Sequence, residues 1–376
     1  MDMMKRSLSI AALIAVPALG AQMTSAPLLS GAWTASDSLR VETFLGRESI
    51  YIDKGAAVIN QSDFRDGVLE FDMAGTAKTN FMGVAFHSTD PDNSEVVFFR
   101  IGSSGTSEAV QYGPALNGRG AAWQVYHGDG ANAVATLSRN VWIHVRLDVA
   151  GSVAKIFLGD STSPTLVIPH LAGVGGSRLG VWTGNFGRGA YFSNIRWTSR
   201  APVPETTLPL PRGTIRDWEI SDVLDATSLA PEKLPDLHAV KWQAVHAEGP
   251  GIVLLNRYRR APMAAVPVDP ATRAVLADSV MGGRVAGTKI VLARTTIQAD
   301  RDGLERLRFG YSDGVVIYCN GTPLYFGMNP PFFRDLGVMD MDGDAVYLPL
   351  KKGKNEIVFA VTEYSGGWAF FGRLNR

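Results

Sequence analysis

Residues 141–149, VWIHVRLDV, alternate without a break. Val141, Ile143, Val145 and Leu147 fall on one side, and Trp142, His144, Arg146 and Asp148 on the other. Successive side chains of a strand point to opposite faces, so a period of two fits a strand with one dry face and one wetter face. The same short pattern returns along the chain. Before residue 200 it appears in DGVLEFDM, NFMGVAFH, EVVFFRI, AAWQVYH, AKIFLGD, RLGVWTG and AYFSNIRW. After residue 212 it appears in GIVLLNRY, TKIVLARTTIQA, ERLRFGY, GVVIYC, PLYFG, AVYLPL, NEIVFAV and WAFFGRL. Gly, Asn, Asp and Ser bound these runs, and long apolar patterns of period 3.6 are scarce. The expected class is all-β, built as antiparallel β-sandwiches of the jelly-roll kind. Asn320-Gly321 supplies the positive φ angles of a type I′ turn and predicts a hairpin between GVVIYC and TPLYFG. KKGKNE predicts a second turn, and VLDATSLAPEKLPDL could hold a short helical turn.

Four prolines, Pro202, Pro204, Pro209 and Pro211, crowd into TSRAPVPETTLPLPRG. Proline lacks the amide proton of a sheet ladder, so this stretch is no central strand and reads as an extended linker. The expected division is a signal peptide over 1–21, one sandwich over 22–200, a Pro-rich linker over 201–212 and a second sandwich over 213–376. A chain of 376 residues, 46% hydrophobic and 19% charged, has apolar material for two cores. At the N-terminus Lys5 and Arg6 precede the apolar run SLSIAALIAVPALGA, with Ala18 and Gly20 at a small-x-small cleavage position. That predicts export to the periplasm or medium, with no membrane span after cleavage.

Lys plus Arg and Asp plus Glu number 36 each, and no basic stripe is present, so a nucleic-acid partner is not expected. Cys319 is the one cysteine, so no internal disulfide can form. It sits in the apolar run VVIYC and reads as a buried, inert thiol.

The order of GRESIYIDKGAAVIN, FRDGVLEFDM, MGVAFHS, VWIHVRLDVAGSVAKIFLGD and AYFSNIRW over residues 30–198 resembles a concanavalin A-like (laminin G-like) jelly roll. QYGPALNG followed by WQVYHG is similar to secreted bacterial domains near the 3-keto-disaccharide hydrolase-type family, which implies sugar-related work. ARTTIQADRDGLERLRFGYSDGVVIYCNGTPLYFG and LPLKKGKNEIVFAVTEYSGGWAF, within residues 213–374, resemble a galactose-binding-like jelly roll. No catalytic residue carries over, because no site motif of these families is matched.

Canonical glycoside hydrolysis needs two flanking carboxylates. Glu70 and Asp72 share a strand face, but Gly75 stands where concanavalin-like glucanases carry a second glutamate. Zinc motifs, nucleophile elbows and phosphate-binding loops are missing. Asp340, Asp342 and Asp344 alternate as in the opening of a calcium loop, although Lys351 replaces the closing glutamate of an EF-hand. A structural calcium ion is one expectation there, and turn chemistry the other; no further cofactor is expected.

The densest stretch is SEAVQYGPALNGRGAAWQVYHG, residues 107–128. Sugars stack their C–H faces on aromatic rings and pair their hydroxyls with planar polar groups, and this stretch supplies both. Read as a strand, AAWQVYH puts Trp123, Val125 and His127 inward and Gln124 and Tyr126 toward a groove. The leading expectation is a poly- or oligosaccharide-binding protein. Arg100, Gln111, Asn117 and Gln124 would bond hydroxyls; Tyr112, Trp123 and Tyr126 would stack; His127 and His87 would add polar contacts. The alternative is a hydrolase or lyase on glycosides, with Glu108, His127 and Glu70 as acid/base groups. A third expectation is an adhesion or scaffold protein. Tyr364 and Trp368 form a weaker aromatic loop candidate, with core packing of Trp368 the competing reading.

Overall fold

The computed structural model describes residues 23–118, 121–184, 189–225, 234, 236–260, 289–329, 338–363 and 366–375. The signal segment and Tyr364 lie outside the described residues. Among the described residues the secondary structure is antiparallel strand with short 3-10 turns and no α-helix. The all-β expectation holds.

Residues up to Ser199 build two facing sheets. The main path of sheet 1 runs Leu166–Ile168, Val153–Leu158, Ile143–Ala150, Gly67–Gly75, Ala190–Ser199, Arg47–Ile52 and Leu39–Phe44. Sheet 2 runs Asn132–Ala133, Val110–Ala115, Asn93–Arg100, Phe81–Asp90, Arg178–Thr183, Gly55–Ile59 and Trp33–Ala35. The period-two reading of residues 141–149 is borne out in its inward face. Val145, Leu147 and Val149 are buried in the core, while His144, Arg146 and Asp148 face out half-buried; Val141 lies exposed before the strand. Across the core they meet sheet 2 through Met82, Val84, Val97, Phe99 and Tyr112. Each fully buried side chain of this size contributes roughly 1.5–3 kcal/mol through removal from water.

The remaining strands form two more sheets around a separate core. Sheet 3 runs Trp242–His246, Asp217–Ser221, Lys289–Ala299, Gly353–Glu363, Asp313–Cys319 and Thr322–Asn329. Sheet 4 runs Val253–Leu254, Ala369–Leu374, Gly303–Tyr311 and Asp344–Leu350. Trp218, Phe309, Ile317, Phe359 and Phe370 fill the space between them. Cys319 is buried here, and burial pushes its thiol pKa up, as an inert thiol requires. The Asn320-Gly321 hairpin forms as expected, with φ of 49° and 80° and Cys319 paired to Thr322.

Two elements differ from expectation. AAWQVYH is not a strand: the amides of Val125 and Tyr126 both donate to the Ala122 carbonyl, at 3.2 and 3.0 Å, and coil the segment into a turn. GIVLLNRY keeps two strand residues, Val253–Leu254, before a 3-10 turn over Leu255–Arg257. Both segments meet each other. Leu116, Ala122 and Val125 pack on Ile252, Leu254, Met339, Ala369 and Phe371, a small core shared between the two halves. The Pro-rich stretch also lies against the first sandwich. Val203 donates its amide to Asp66 at 2.8 Å, and Thr206 donates to Ser152 Oγ at 3.1 Å.

Candidate functional site

Alternation puts Val97, Phe99, Met82, Val84 and Val181 of sheet 2 into the core, so their neighbours face outward. Register aligns Gln111, Phe98, Gly83, Trp182 and Ala56 in one row across five strands. Arg100 and Phe81 begin the adjacent row. The rings of Phe81, Phe98 and Trp182 pack as a triangle, with centroids 5.3–6.3 Å apart; Phe98 is buried at 2% exposure, Trp182 shows 7%, and Phe81 is half-buried. Gly83, Ala85, Ala56 and Ala115 are buried around these rings, and half-buried Trp123 packs at their side.

A polar cluster closes one end. The Arg100 guanidinium carbon lies 5.6 Å from the Phe81 ring centre, and its Nη1 donates to Glu108 Oε2 at 2.9 Å. Gln111 Nε2 donates to the same oxygen. His127 Nε2 lies 2.9 Å from Glu108 Oε1, and Asn132 donates to that oxygen at 3.2 Å. The His127 hydrogen bond, with the charges of His127 and Arg100 behind it, holds the Glu108 carboxyl below the usual carboxylate range. The turn that carries Glu108 is itself tied, through its amide, to Thr106 Oγ1 at 3.2 Å. At the other end a cleft of about 180 Å³ is bordered by Trp182, Ser36, Lys54 and Asp92.

Of the residues singled out in the sequence, Arg100, Glu108, Gln111 and His127 are brought together. Glu108 and Gln111 take roles other than those expected. Glu108 meets four side-chain partners, and its lowered pKa suits a hydrogen-bond acceptor rather than an acid catalyst. Gln111 is 2% exposed and ties that carboxylate. Glu70 does not join them: it projects outward from sheet 1, paired with Arg196 at 2.9 Å, on the opposite side of the sandwich. Asp72 beside it accepts from Arg47 and Asn194, each at 2.6 Å.

Four expected contact residues are structural instead. Tyr112 is 1% exposed; its hydroxyl donates to Glu95 at 2.7 Å and accepts from the Ala172 amide at 2.7 Å. It cannot stack on a sugar, because it points into the core, edge-on to Tyr126 at 5.4 Å. Burial pushes both phenols well above their ordinary range. Asn117, in a left-handed conformation, donates across to the Asn256 carbonyl at 2.6 Å. Gln124 is 0% exposed: its backbone amide donates to the Gly366 carbonyl at 2.9 Å, and its backbone carbonyl accepts from the Met339 amide at 2.8 Å. A Cβ on Gly366 would stand 2.1 Å from Gln124 Oε1, so only glycine permits this approach. Within 107–128, Asn117 and Gln124 thus serve the junction with the second half of the chain, Tyr112 ties Glu95 and Ala172 within its own sandwich, and Glu108, Gln111 and His127 belong to the cluster beside Phe81.

His87 lies elsewhere, with Nε2 2.6 Å from the Arg65 carbonyl. Asp340 accepts from the Asp342 amide at 2.9 Å, and Asp344 from the Tyr325 hydroxyl at 2.5 Å. Among the described residues no group of three or more His, Cys, Asp or Glu side chains could hold a metal ion. Trp368 is a core residue, donating to the Val361 carbonyl at 3.2 Å.

No family model matches the chain, and no curated protein sequence does. Solved structures similar to it include a carbohydrate-binding module, CBM66, from Bacillus subtilis, at 16% identity and a TM-score of 0.35 over 45% of this chain and 96% of that one. A Bacillus licheniformis beta-glucanase aligns at 13% identity and 0.30, over 49% of this chain and all of that one. A Crh5 transglycosylase in complex with NAG aligns at 13% and 0.33, over 48% and 85%. At these scores no activity and no residue role passes to this chain.

Phe81, Phe98 and Trp182 were not singled out in the sequence. Their signal was present in EVVFFRI, where apolar residues fill both alternating positions. A strand apolar on both faces is covered or occupied on both. Lys54, Asp92 and Asn132 carried no such signal.

Proposed function

We propose that the protein is a non-catalytic carbohydrate-binding protein, exported after loss of residues 1–21, and that the outer face of sheet 2 receives a saccharide. The observation that carries this reading is the pair of aromatic rings that reach the surface of this face, half-buried Phe81 beside Arg100 and the edge of Trp182 at the cleft, backed by buried Phe98 and with polar groups at both ends. The accessible parts of Phe81 and Trp182 suit the C–H faces of a sugar, and the groups of Arg100, His127, Lys54 and Asp92 suit its hydroxyls. Trp182 is 7% exposed and presents its accessible edge to the cleft, so one sugar unit would sit there and a chain would extend toward Arg100.

Binding is favoured over hydrolysis by the state of the carboxylates. An acid catalyst needs a raised pKa and a partner carboxylate across the bond. Glu108 is held low and saturated by four donors, and Glu70 belongs to the far face. Calorimetric titration of the mature chain against neutral and acidic oligosaccharides tests the reading. Binding without product release is expected, weakened roughly tenfold, or ~1.4 kcal/mol, by Trp182→Ala. Release of reducing or keto sugar that vanishes in Glu108→Gln would instead establish the enzyme.

A further inference from the structure

Sheet 4 turns one face to the second core and the other outward. Leu307, Phe309 and Leu348 lie in that core, so alternation turns Leu304, Arg306, Arg308, Tyr347 and Pro349 to the outer face. Phe370 is a core residue too, which puts Phe371 and Arg373 on either side of Gly372 outward. Phe371 is covered by Leu116, Ala122 and Val125 of the first half. Beyond it the face is open: Tyr347 is 60% exposed, Leu304 71%, and Arg306 and Pro349 are exposed as well.

Register gathers three guanidinium groups on this open part. Arg308 stands directly opposite Arg373 on the neighbouring strand, and Arg306 stands opposite Tyr347. Opposed residues are about 4.5–5.5 Å apart between Cα atoms. Arg306 follows Arg308 on the same face after about 7 Å, two residues along a strand. Arg373 is fixed from below: its guanidinium carbon lies 4.6 Å from the Phe371 ring centre, and Nη2 donates to the Pro250 carbonyl at 3.3 Å. Burial, with the charge of Arg308 beside it, lowers the Arg373 pKa, while Asp342 acts in the opposite sense.

Asp340 and Asp342, on the loop at one end, are the acids that border these groups, so arginines exceed them three to two. Glu305 alternates to the other face, and Asp302 accepts from Lys351 at 3.2 Å. Among the described residues no carboxylate pairs with Arg306, Arg308 or Arg373. Like charges directly opposed across a sheet destabilise it. An opposed arginine pair without a carboxylate, on an open face beside an exposed tyrosine, fits an anion supplied from outside.

We infer that the outer face of sheet 4 is a docking surface for an acidic polysaccharide, with uronate carboxylates held by Arg306, Arg308 and Arg373 and a sugar ring laid on Tyr347. Guanidinium forks match planar carboxylates, and a phenol ring receives the C–H face of a sugar. The row that pairs Tyr347 with Arg306 supplies both in the arrangement a uronate ring presents. A nucleic acid would need a longer basic stripe than three arginines. The surface is separate from the sheet 2 face and stands whether or not that face binds sugar.

The test is titration of the mature chain at low salt with tetragalacturonate, its neutral methyl ester, a single-stranded oligonucleotide and phosphatidylglycerol vesicles. Tetragalacturonate is expected to bind, with affinity falling at least tenfold in Arg308→Gln or Arg306→Gln, several-fold in Tyr347→Ala and with added salt. Binding should persist in Trp182→Ala, which separates this surface from the sheet 2 face. Arg308→Gln relieves the repulsion with Arg373, so its urea midpoint should equal or exceed that of wild type. A lowered midpoint would make the arginine pair structural and overturn the proposal. So would equal binding of the methyl ester, indifference to both arginine substitutions, absence of tetragalacturonate binding, or tighter arginine-dependent binding of the oligonucleotide or the vesicles.

Discussion

Glu108 illustrates how a residue's role depends on its donors. Four side chains converge on one carboxylate, and its pKa is depressed relative to the unfolded chain. A depressed carboxyl stabilises the fold above its unfolded pKa, near 4.3, and that contribution is lost as pH falls through the folded value. Glu108→Gln is therefore expected to cost about 1.5–3 kcal/mol at pH 7, the range for hydrogen bonds to a charged group. The difference from wild type, read from urea unfolding, should stay constant from pH 7 to 5 and shrink only below about pH 4.5. A difference that grew on acidification would refute this assignment. That Glu108, Gln111 and His127 lie near one another was legible from their density in residues 107–128, whereas Arg100 joins them from the neighbouring strand. That Tyr112 and Gln124 point away from solvent was not, because the same amphipathic side chains serve a rim or a junction equally well.

Turns and strands were read more securely than the segment between them. The Asn320-Gly321 hairpin rests on backbone sterics alone, so the sequence sufficed. Gly321 has φ 80°, which any side chain occupies at a cost of roughly 1–2 kcal/mol. Gly321→Ala is expected to lower unfolding free energy by about 1 kcal/mol, whereas Gly303→Ala, at a strand start with open space around it, should be neutral. Chemical denaturation of the two variants side by side checks this. AAWQVYH failed as a strand for the opposite reason. Its alternation is real, but Ala122 and Val125 bury against Leu254 and Phe371, contacts more than a hundred residues away. Local periodicity carries no record of them.

At the scale of the whole molecule, Arg257 joins the halves. It donates to Glu248 at 2.8 Å, in its own half, and to the Ala172 carbonyl at 2.7 Å, in the other. The loop it grips is fixed from beneath by Glu95, which accepts from the Gly173 and Val174 amides at 2.7 and 3.0 Å. Arg257→Ala leaves Glu248 and these carbonyls unpaired, and is expected to cost about 2–4 kcal/mol. Wild type should then unfold in one cooperative denaturant transition and Arg257→Ala in two, followed by tryptophan fluorescence. Two transitions already present in wild type would show that this junction does not couple the halves.

The sequence by itself determined the class of structure, the period-two faces, the position of one tight hairpin and the inert character of Cys319. These follow from backbone sterics and from the exclusion of apolar side chains from water, both of which act over a few residues. Only the tertiary structure decided that Glu70 and Glu108 face opposite ways, that Asn117 and Gln124 bind the chain to itself, and that Phe81, Phe98 and Trp182 pack into one cluster. Those outcomes depend on strand order and register between distant segments, and a linear pattern does not encode which segments become neighbours.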